Sequence, residues 1–139
     1  MKTIHITGNG IRNHEELFPN HESKLQKSDP EFIALFDNWA FDEVIRQSKL
    51  DTKTRVMLIL ASTIASQALG EYKVMVGAAL NVGLTPIEIK EILYQSVPYV
   101  GVAKVFDFLQ ATNEVFQNNG VNLPLEGQST TTPQTRFEK

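Results

Sequence analysis

The sequence predicts an all-α protein, and three observations support this prediction. The chain has 139 residues, of which 42% are hydrophobic, and this fits one ordinary domain with its own core. Between residues 28 and 120 the apolar residues recur at helical spacing, and no alternating strand pattern occurs there. Capping residues and prolines stand directly before the apolar segments, as they do where helices begin. We therefore expect a bundle of about five to six helices.

This interpretation divides the chain into three segments. Residues 1–27 are polar and include all three histidines. This composition predicts a polar N-terminal arm, because the segment shows no helical pattern. A short strand at residues 3–7 is the alternative. Residues 28–120 form the predicted helical domain. Residues 121–139 are rich in Gly, Pro, Thr and Gln, which indicates a flexible tail or linker.

The first predicted helix spans residues 30–48. Ser28 and Glu31 have the spacing of a capping box, and Pro30 suits the first helical position. One face of this helix carries four large apolar residues, namely Phe32, Leu35, Phe36 and Trp39. Glu43 falls in the middle of the same face, where an apolar residue is expected.

Four further helices are predicted, at about residues 52–69, 71–81, 85–98 and 102–118. The first of them follows a cap at Asp51 and is apolar nearly all round, which is typical of a buried central helix. Thr85, Pro86 and Glu88 form the strongest helix start in the chain. Pro98 is expected to interrupt that helix and to be followed by a short joint.

The composition excludes several classes of function. Because the chain has no cysteine, it offers no disulfide scaffold, thiolate metal site or cysteine nucleophile of its own. Its 13 basic and 16 acidic residues give a net charge of -3 without a basic cluster, so no nucleic-acid partner is expected. No apolar run approaches the roughly 18 residues of a membrane span. The first residues lack the apolar core of a signal peptide, so we expect a cytoplasmic protein that does not bind a membrane.

Two charged residues are the first candidates for chemistry. A carboxylate on an apolar face suits general acid or base catalysis when it is buried; the alternatives are that Glu43 reaches solvent or pairs with Arg46 or Arg55. Arg55 opens the most apolar helix, where a cation opposes the helix dipole. Its partner is expected to be Glu43 or Asp51, or else an anionic substrate.

No cofactor is expected from the sequence. The histidines and glutamates between residues 14 and 22 lack the fixed spacing of a metal site, and a solvated arm is the preferred interpretation. No motif for a flavin, a nicotinamide or a haem is present, and Tyr72 and Tyr99 are by themselves explained by core packing.

Ordered motifs occur at residues 29–32, 41–44, 50–55, 78–85, 88–93 and 99–101, from Asp-Pro-Glu-Phe to Tyr-Val-Gly. Together they resemble the carboxymuconolactone decarboxylase family over roughly residues 28–118. The resemblance implies an alkylhydroperoxidase D-like helical bundle in which two protomers interlock, often within trimers or hexamers. It implies either lactone decarboxylation in aromatic-compound catabolism or thiol-dependent peroxidase activity, and the absence of cysteine excludes the second.

The resemblance also implies roles for individual residues. Glu43 corresponds to the functional glutamate of the family, and Arg55 to the arginine of its Lys-Thr-Arg motif. Arg55, Tyr72, Met75 and Tyr99 would contact a small carboxylated lactone, while Glu43 would be catalytic. Met75 stands where decarboxylase members have a histidine, so a catalytically reduced member that binds a ligand or serves as an assembly half is the alternative. Residues 134–139 resemble the opening of a second copy, as in tandem members, so the chain is expected to be the N-terminal half of such a protein or a relic of one.

Overall fold

The computed structural model describes residues 4–128, and this part of the chain is helical without a strand, which confirms the all-α prediction. The chain divides into two compact units, Met1–Asp51 and Thr52–Lys139. No helix within the described residues is long and apolar enough to cross a membrane. The predicted second-copy opening at residues 134–139 lies outside the described residues, as does most of the predicted tail.

The N-terminal unit consists of short helices around one long helical segment. They are α1 (Gly8–Leu17), α2 (Leu25–Ser28), α3 (Pro30–Asn38), a π-helix (Trp39–Glu43) and α4 (Val44–Gln47). The prediction of one helix over residues 30–48 is confirmed in extent, but the π-helix in its middle was not foreseen. In this π-helix the N–H of Val44 donates to the carbonyl of Trp39, five residues earlier.

The expectation that no helix precedes Ser28 was wrong. Helix α1 is capped by Thr7, whose hydroxyl accepts a hydrogen bond from the N–H of Gly10 (3.0 Å). The helix buries only Gly10 and Leu17, so it lacks the apolar periodicity by which a helix is recognised in a sequence. It is held instead by polar contacts, among them the hydrogen bond from Asn13 Nδ2 to the carbonyl of Phe41 (2.6 Å).

The C-terminal unit is a bundle of four longer helices: α5 (Thr52–Ala65), α6 (Leu69–Asn81), α7 (Pro86–Val100) and α8 (Val102–Asn118). Helix α5 packs against α6 and α7, and α8 covers the same two helices. Among the side chains that are completely buried in this unit are Val56, Leu60, Tyr72, Ile89, Leu93 and Phe116. The four helices predicted from residue 52 onwards are therefore confirmed.

Helix α7 is longer than expected. It begins with the predicted capping box, in which Thr85 and Glu88 exchange side chain to backbone hydrogen bonds of 3.1 Å and 2.9 Å. Pro98 does not interrupt the helix, which continues to Val100. A proline removes one N–H donor, and so close to the helix end only the last turn is affected. Gly101, with a φ of 103°, ends the helix and its N–H donates to the carbonyl of Val97.

Candidate functional site

The apolar face of α3 is not buried within the chain. The exposed fractions are 61% for Phe32, 55% for Leu35, 41% for Phe36 and 61% for Trp39. The buried residues of this helix are instead Ile33, Ala34 and Asp37, on its opposite side. Four large apolar side chains thus form an exposed surface, which we call the α3 face.

The π-helix decides which of two neighbouring carboxylates points inward. Asp42 is only 5% exposed, whereas Glu43 is exposed and makes no hydrogen bond or ion pair with any residue between 4 and 128. The suggested pairing of Glu43 with Arg46 is wrong, because Arg46 Nε lies 2.6 Å from Asp42 Oδ1. Glu43 is the last residue of the π-helix that follows α3.

Asp42 is the polar centre of the N-terminal unit, and the sequence analysis missed it. Its carboxylate accepts hydrogen bonds from the hydroxyl of Thr7 (2.7 Å), from Arg46 Nε (2.6 Å) and from Asn9 Nδ2 (3.4 Å). The Thr7 hydroxyl above all, with Arg46 and Asn9, holds the pKa of Asp42 below its usual value although burial acts against this. The only signal in the sequence is the i, i+4 spacing of Asp42 and Arg46.

The lowered pKa of Asp42 predicts acid sensitivity of α1. A carboxylate with a lowered folded-state pKa contributes stability above its unfolded value, about pH 4, and this stability is lost as the pH falls through the lower folded value. We expect hydrogen-exchange protection factors of α1 amides to fall below about pH 4 in the wild type. In Asp42→Asn they should be low throughout and independent of pH in that range, whereas the exposed-site control Asp107→Asn should follow the wild type. The same pH dependence in Asp42→Asn would contradict this assignment.

The arm also contributes an aromatic cluster. The ring of His14 packs against Phe18 (5.2 Å between centroids) and against the edge of Phe41 (5.1 Å), and it stacks with His21 (6.4 Å). Burial raises the pKa of the neighbouring Asp37, and His14 partly offsets this increase. In the part of the chain that the structure describes, no three His, Asp or Glu side chains are arranged to hold a metal ion.

Arg55 lies half-buried in the first turn of α5. Its Nη2 donates a hydrogen bond to the hydroxyl of Thr52 (3.1 Å), and no ion pair of Arg55 occurs within residues 4–128. Since a guanidinium has five N–H donors, most of them stay available for an anion.

Tyr72 and Met75 lie in the core of the C-terminal unit, with exposed fractions of 0% and 4%. The Tyr72 hydroxyl is 2.6 Å from Thr112 Oγ1, and Thr112 donates its only hydroxyl hydrogen to the carbonyl of Phe108 (2.7 Å). Tyr72 must therefore be the donor to Thr112. Burial raises the pKa of Tyr72 to about 12, against the opposing effect of the Thr112 hydrogen bond. The Tyr72 hydroxyl thus already has a partner within the core.

An open groove of about 590 Å³ runs between α5 and α7 of the C-terminal unit, and we call it the α5–α7 groove. Its walls are mainly apolar and include Met57, Leu58, Ala61, Ile92, Tyr99 and Val100. Tyr99 is 90% exposed there, whereas Tyr72 and Met75 are not part of the lining. Glu88 and Glu91 supply carboxylates at the groove, of which Glu88 is engaged in the capping box of α7. Of the predicted contact residues, Tyr99 thus lies at a surface that a ligand or a partner can reach.

Lys90 is a second polar residue that the sequence analysis missed. It is 6% exposed, donates a hydrogen bond to Asn113 Oδ1, and its Nζ lies 6.0 Å from the centre of the Phe116 ring. Burial lowers its pKa. Lys90 therefore joins α7 to α8 on the side of α7 that does not line the groove.

The model of the carboxymuconolactone decarboxylase family matches residues 30–114, more than half of the chain. The chain belongs to this family. Glu43 and Arg55 both lie inside the matched segment, whereas Thr7 and α1, which hold Asp42, precede it. The carboxymuconolactone decarboxylase family is helical, in agreement with the fold. Among curated proteins, no significant match to the chain was found.

Proposed function

We propose that the protein is a carboxy-lyase that decarboxylates a small carboxylated lactone in aromatic-compound catabolism. The observation that supports this proposal is the family match over residues 30–114, which includes Glu43 and Arg55. Neither side chain is committed to an ion pair within residues 4–128. A free carboxyl group and a free guanidinium are the groups that proton transfer and carboxylate binding require.

In the proposed reaction Arg55 binds a carboxylate of the substrate through its planar N–H donors. The carbon–carbon bond to the leaving carboxylate breaks, carbon dioxide departs, and the electron pair stays on the substrate carbon. Glu43, as the protonated acid, gives its proton to that carbon and is protonated again from water. This acid role requires Glu43 to be withdrawn from solvent in the working protein, since burial favours the neutral form of a carboxyl group.

We further propose that the protein works in the cytoplasm as a homo-oligomer, a dimer, trimer or hexamer. The exposed α3 face supports association, because monomeric soluble proteins rarely leave several large apolar side chains side by side in solvent.

The second candidate function is that of a catalytically reduced member, which binds a ligand or serves as an assembly half. The observation that favours it is Met75, which stands in the core where decarboxylase members have a histidine. The side chain of Met75 cannot accept or donate a proton, whereas a histidine can. All proton transfer would therefore depend on Glu43.

Carbon dioxide release from γ-carboxymuconolactone and related lactone acids tests the first proposal. We expect turnover by the wild type, a loss of kcat of about 100-fold or more in Glu43→Gln, and a roughly tenfold higher KM in Arg55→Lys. The Tm of Glu43→Gln should equal that of the wild type, because Glu43 makes no bond within the described residues. Glu16→Gln, which alters an exposed glutamate of α1, is the control and should be fully active. Absence of turnover on every lactone acid would refute the lyase proposal and favour the reduced member.

A further inference from the structure

Residues 121–128 continue along the C-terminal unit after α8 ends, and we call this segment the strap. Gly120, with a φ of 76°, turns the chain out of α8, and the N–H of Val121 donates to the carbonyl of Phe116 (2.9 Å). The strap contains neither helix nor strand, yet Leu125 in it is only 5% exposed. The strap is therefore held to the unit by a buried apolar anchor.

The far end of the strap lies on α7. The side-chain Nε2 of Gln128 donates a hydrogen bond to the hydroxyl of Tyr94 (3.3 Å). A Cβ placed on Gly127 would lie 3.3 Å from Cδ1 of Ile87. Ile87 and Tyr94 are two turns apart, so they lie on one side of α7. The strap thus crosses from the end of α8 to this side of α7.

Lys90 lies at the helix contact that the strap crosses. It follows Ile87 by one turn of α7 and precedes Tyr94 by one turn. Its Nζ lies 6.0 Å from the ring centre of Phe116, the residue whose carbonyl holds the start of the strap. Both ends of the strap therefore contact immediate neighbours of Lys90, which is itself 6% exposed.

The charge of Lys90 is buried without a counter-ion. In the described part of the chain its hydrogen-bond partner is the neutral side chain of Asn113, and no carboxylate forms an ion pair with it. Of the nearby carboxylates, Glu114 of α8 is paired with Lys73 (3.1 Å), and Glu126 of the strap is exposed. An unpaired charge destabilises the state that buries it, and burial lowers the pKa of Lys90 for the same reason.

We propose that the strap is a lid over Lys90 which opens and closes, and that the buried charge of Lys90 sets how readily it opens. Closing the strap covers Leu125, which favours the closed position. Opening it hydrates the ammonium group of Lys90, which favours the open position. Because the two effects oppose each other, the strap is poised for local opening while the helices stay folded. The amine of Lys90 is then available to solutes in the open position alone.

Acetylation by a low concentration of acetic anhydride, followed by peptide mass spectrometry, tests the lid. In the wild type, Lys90 should react at least about tenfold more slowly than the exposed Lys104 of α8. Leu125→Ala removes the anchor and should accelerate acetylation of Lys90 about tenfold or more, with no change at Lys104. Glu126→Gln, at an exposed position of the strap, is the matched control and should react like the wild type.

A milder variant keeps the test decisive if Leu125→Ala does not fold. Tyr94→Phe removes only the acceptor of Gln128 and should accelerate acetylation of Lys90 about threefold. Hydrogen exchange of α5 and α6 shows that each variant is folded. Acetylation of Lys90 as fast as that of Lys104 in the wild type would overturn the lid. A Lys90 rate unchanged in the folded Leu125→Ala variant, or in Tyr94→Phe if that variant is unfolded, would overturn it as well.

Lys90→Met tests the role of the charge. Without the ammonium group the closed position gains stability, so exchange of the bonded amides of Val121 and Gln128 should slow about tenfold. Lys104→Met, which removes an exposed charge from α8, is the control and should leave this exchange unchanged. Equal or faster exchange in Lys90→Met would show that the charge of Lys90 does not drive the opening.

Discussion

Replacing Tyr72 with alanine is expected to lower the free energy of unfolding by about 4 kcal/mol. The side chain is completely buried, and its ring packs edge-on against Phe108 with 5.1 Å between the centroids. Truncation therefore removes a large apolar contact, leaves a cavity and deletes a buried hydrogen bond. Urea unfolding followed by circular dichroism measures the change, and an unchanged m-value would show that the loss belongs to the native state. A loss below about 1 kcal/mol would contradict the core position of Tyr72.

Two finer variants test the direction of the hydrogen bond. Thr112→Val leaves the buried Tyr72 hydroxyl without its acceptor and should cost about 2 kcal/mol. Tyr72→Phe should cost about 1 kcal/mol or less, because Thr112 keeps its bond to the carbonyl of Phe108. The reverse order would show that the proton assignment is wrong. If Tyr72→Phe raised KM without changing stability, Tyr72 would be a substrate contact rather than a core residue.

Replacing Gly101 with alanine is expected to destabilise the protein by about 2 kcal/mol, for a reason that involves no neighbouring atom. Gly101 joins α7 to α8 with φ 103° and ψ 135°, a backbone conformation that is nearly confined to glycine. A Cβ placed on Gly101 would have no atom within 4 Å, so the whole cost is conformational.

Gly77→Ala is the matched control for this prediction. Gly77 lies inside α6, and a Cβ there would also have no atom within 4 Å. Because alanine is the better helix former, this variant should gain about 0.5–1 kcal/mol. Thermal or urea unfolding of both variants measures the difference. If Gly101→Ala were as stable as Gly77→Ala, the strained joint between α7 and α8 would be refuted.

The sequence identified both proposed site residues, Glu43 and Arg55, but not the surroundings of Glu43. Glu43 stands out in the sequence because it lies on an apolar face, and Arg55 because it opens the most apolar helix. The resemblance to the family gave both residues a role, and the family match includes both positions. Helical periodicity could not show whether Glu43 pairs with Arg46. The π-helix inserts an extra residue into the turn and alters the direction of every side chain in it. As a result Asp42, not Glu43, faces the interior and binds Arg46.

Local signals specify the helices of the C-terminal unit, so these helices can be predicted from the sequence alone. Thr85, Pro86 and Glu88 specify the start of α7 through bonds within one turn, and apolar periodicity predicts the four helices without reference to the rest of the chain. In the N-terminal unit, contacts between residues far apart in the sequence specify the structure instead. Helix α1 is held by Thr7 and Asn13, which bond to residues about 30 positions away, and such bonds leave no local pattern. Periodicity likewise identified the apolar face of α3, but whether that face is buried depends on what packs against it, and in the single chain it remains exposed.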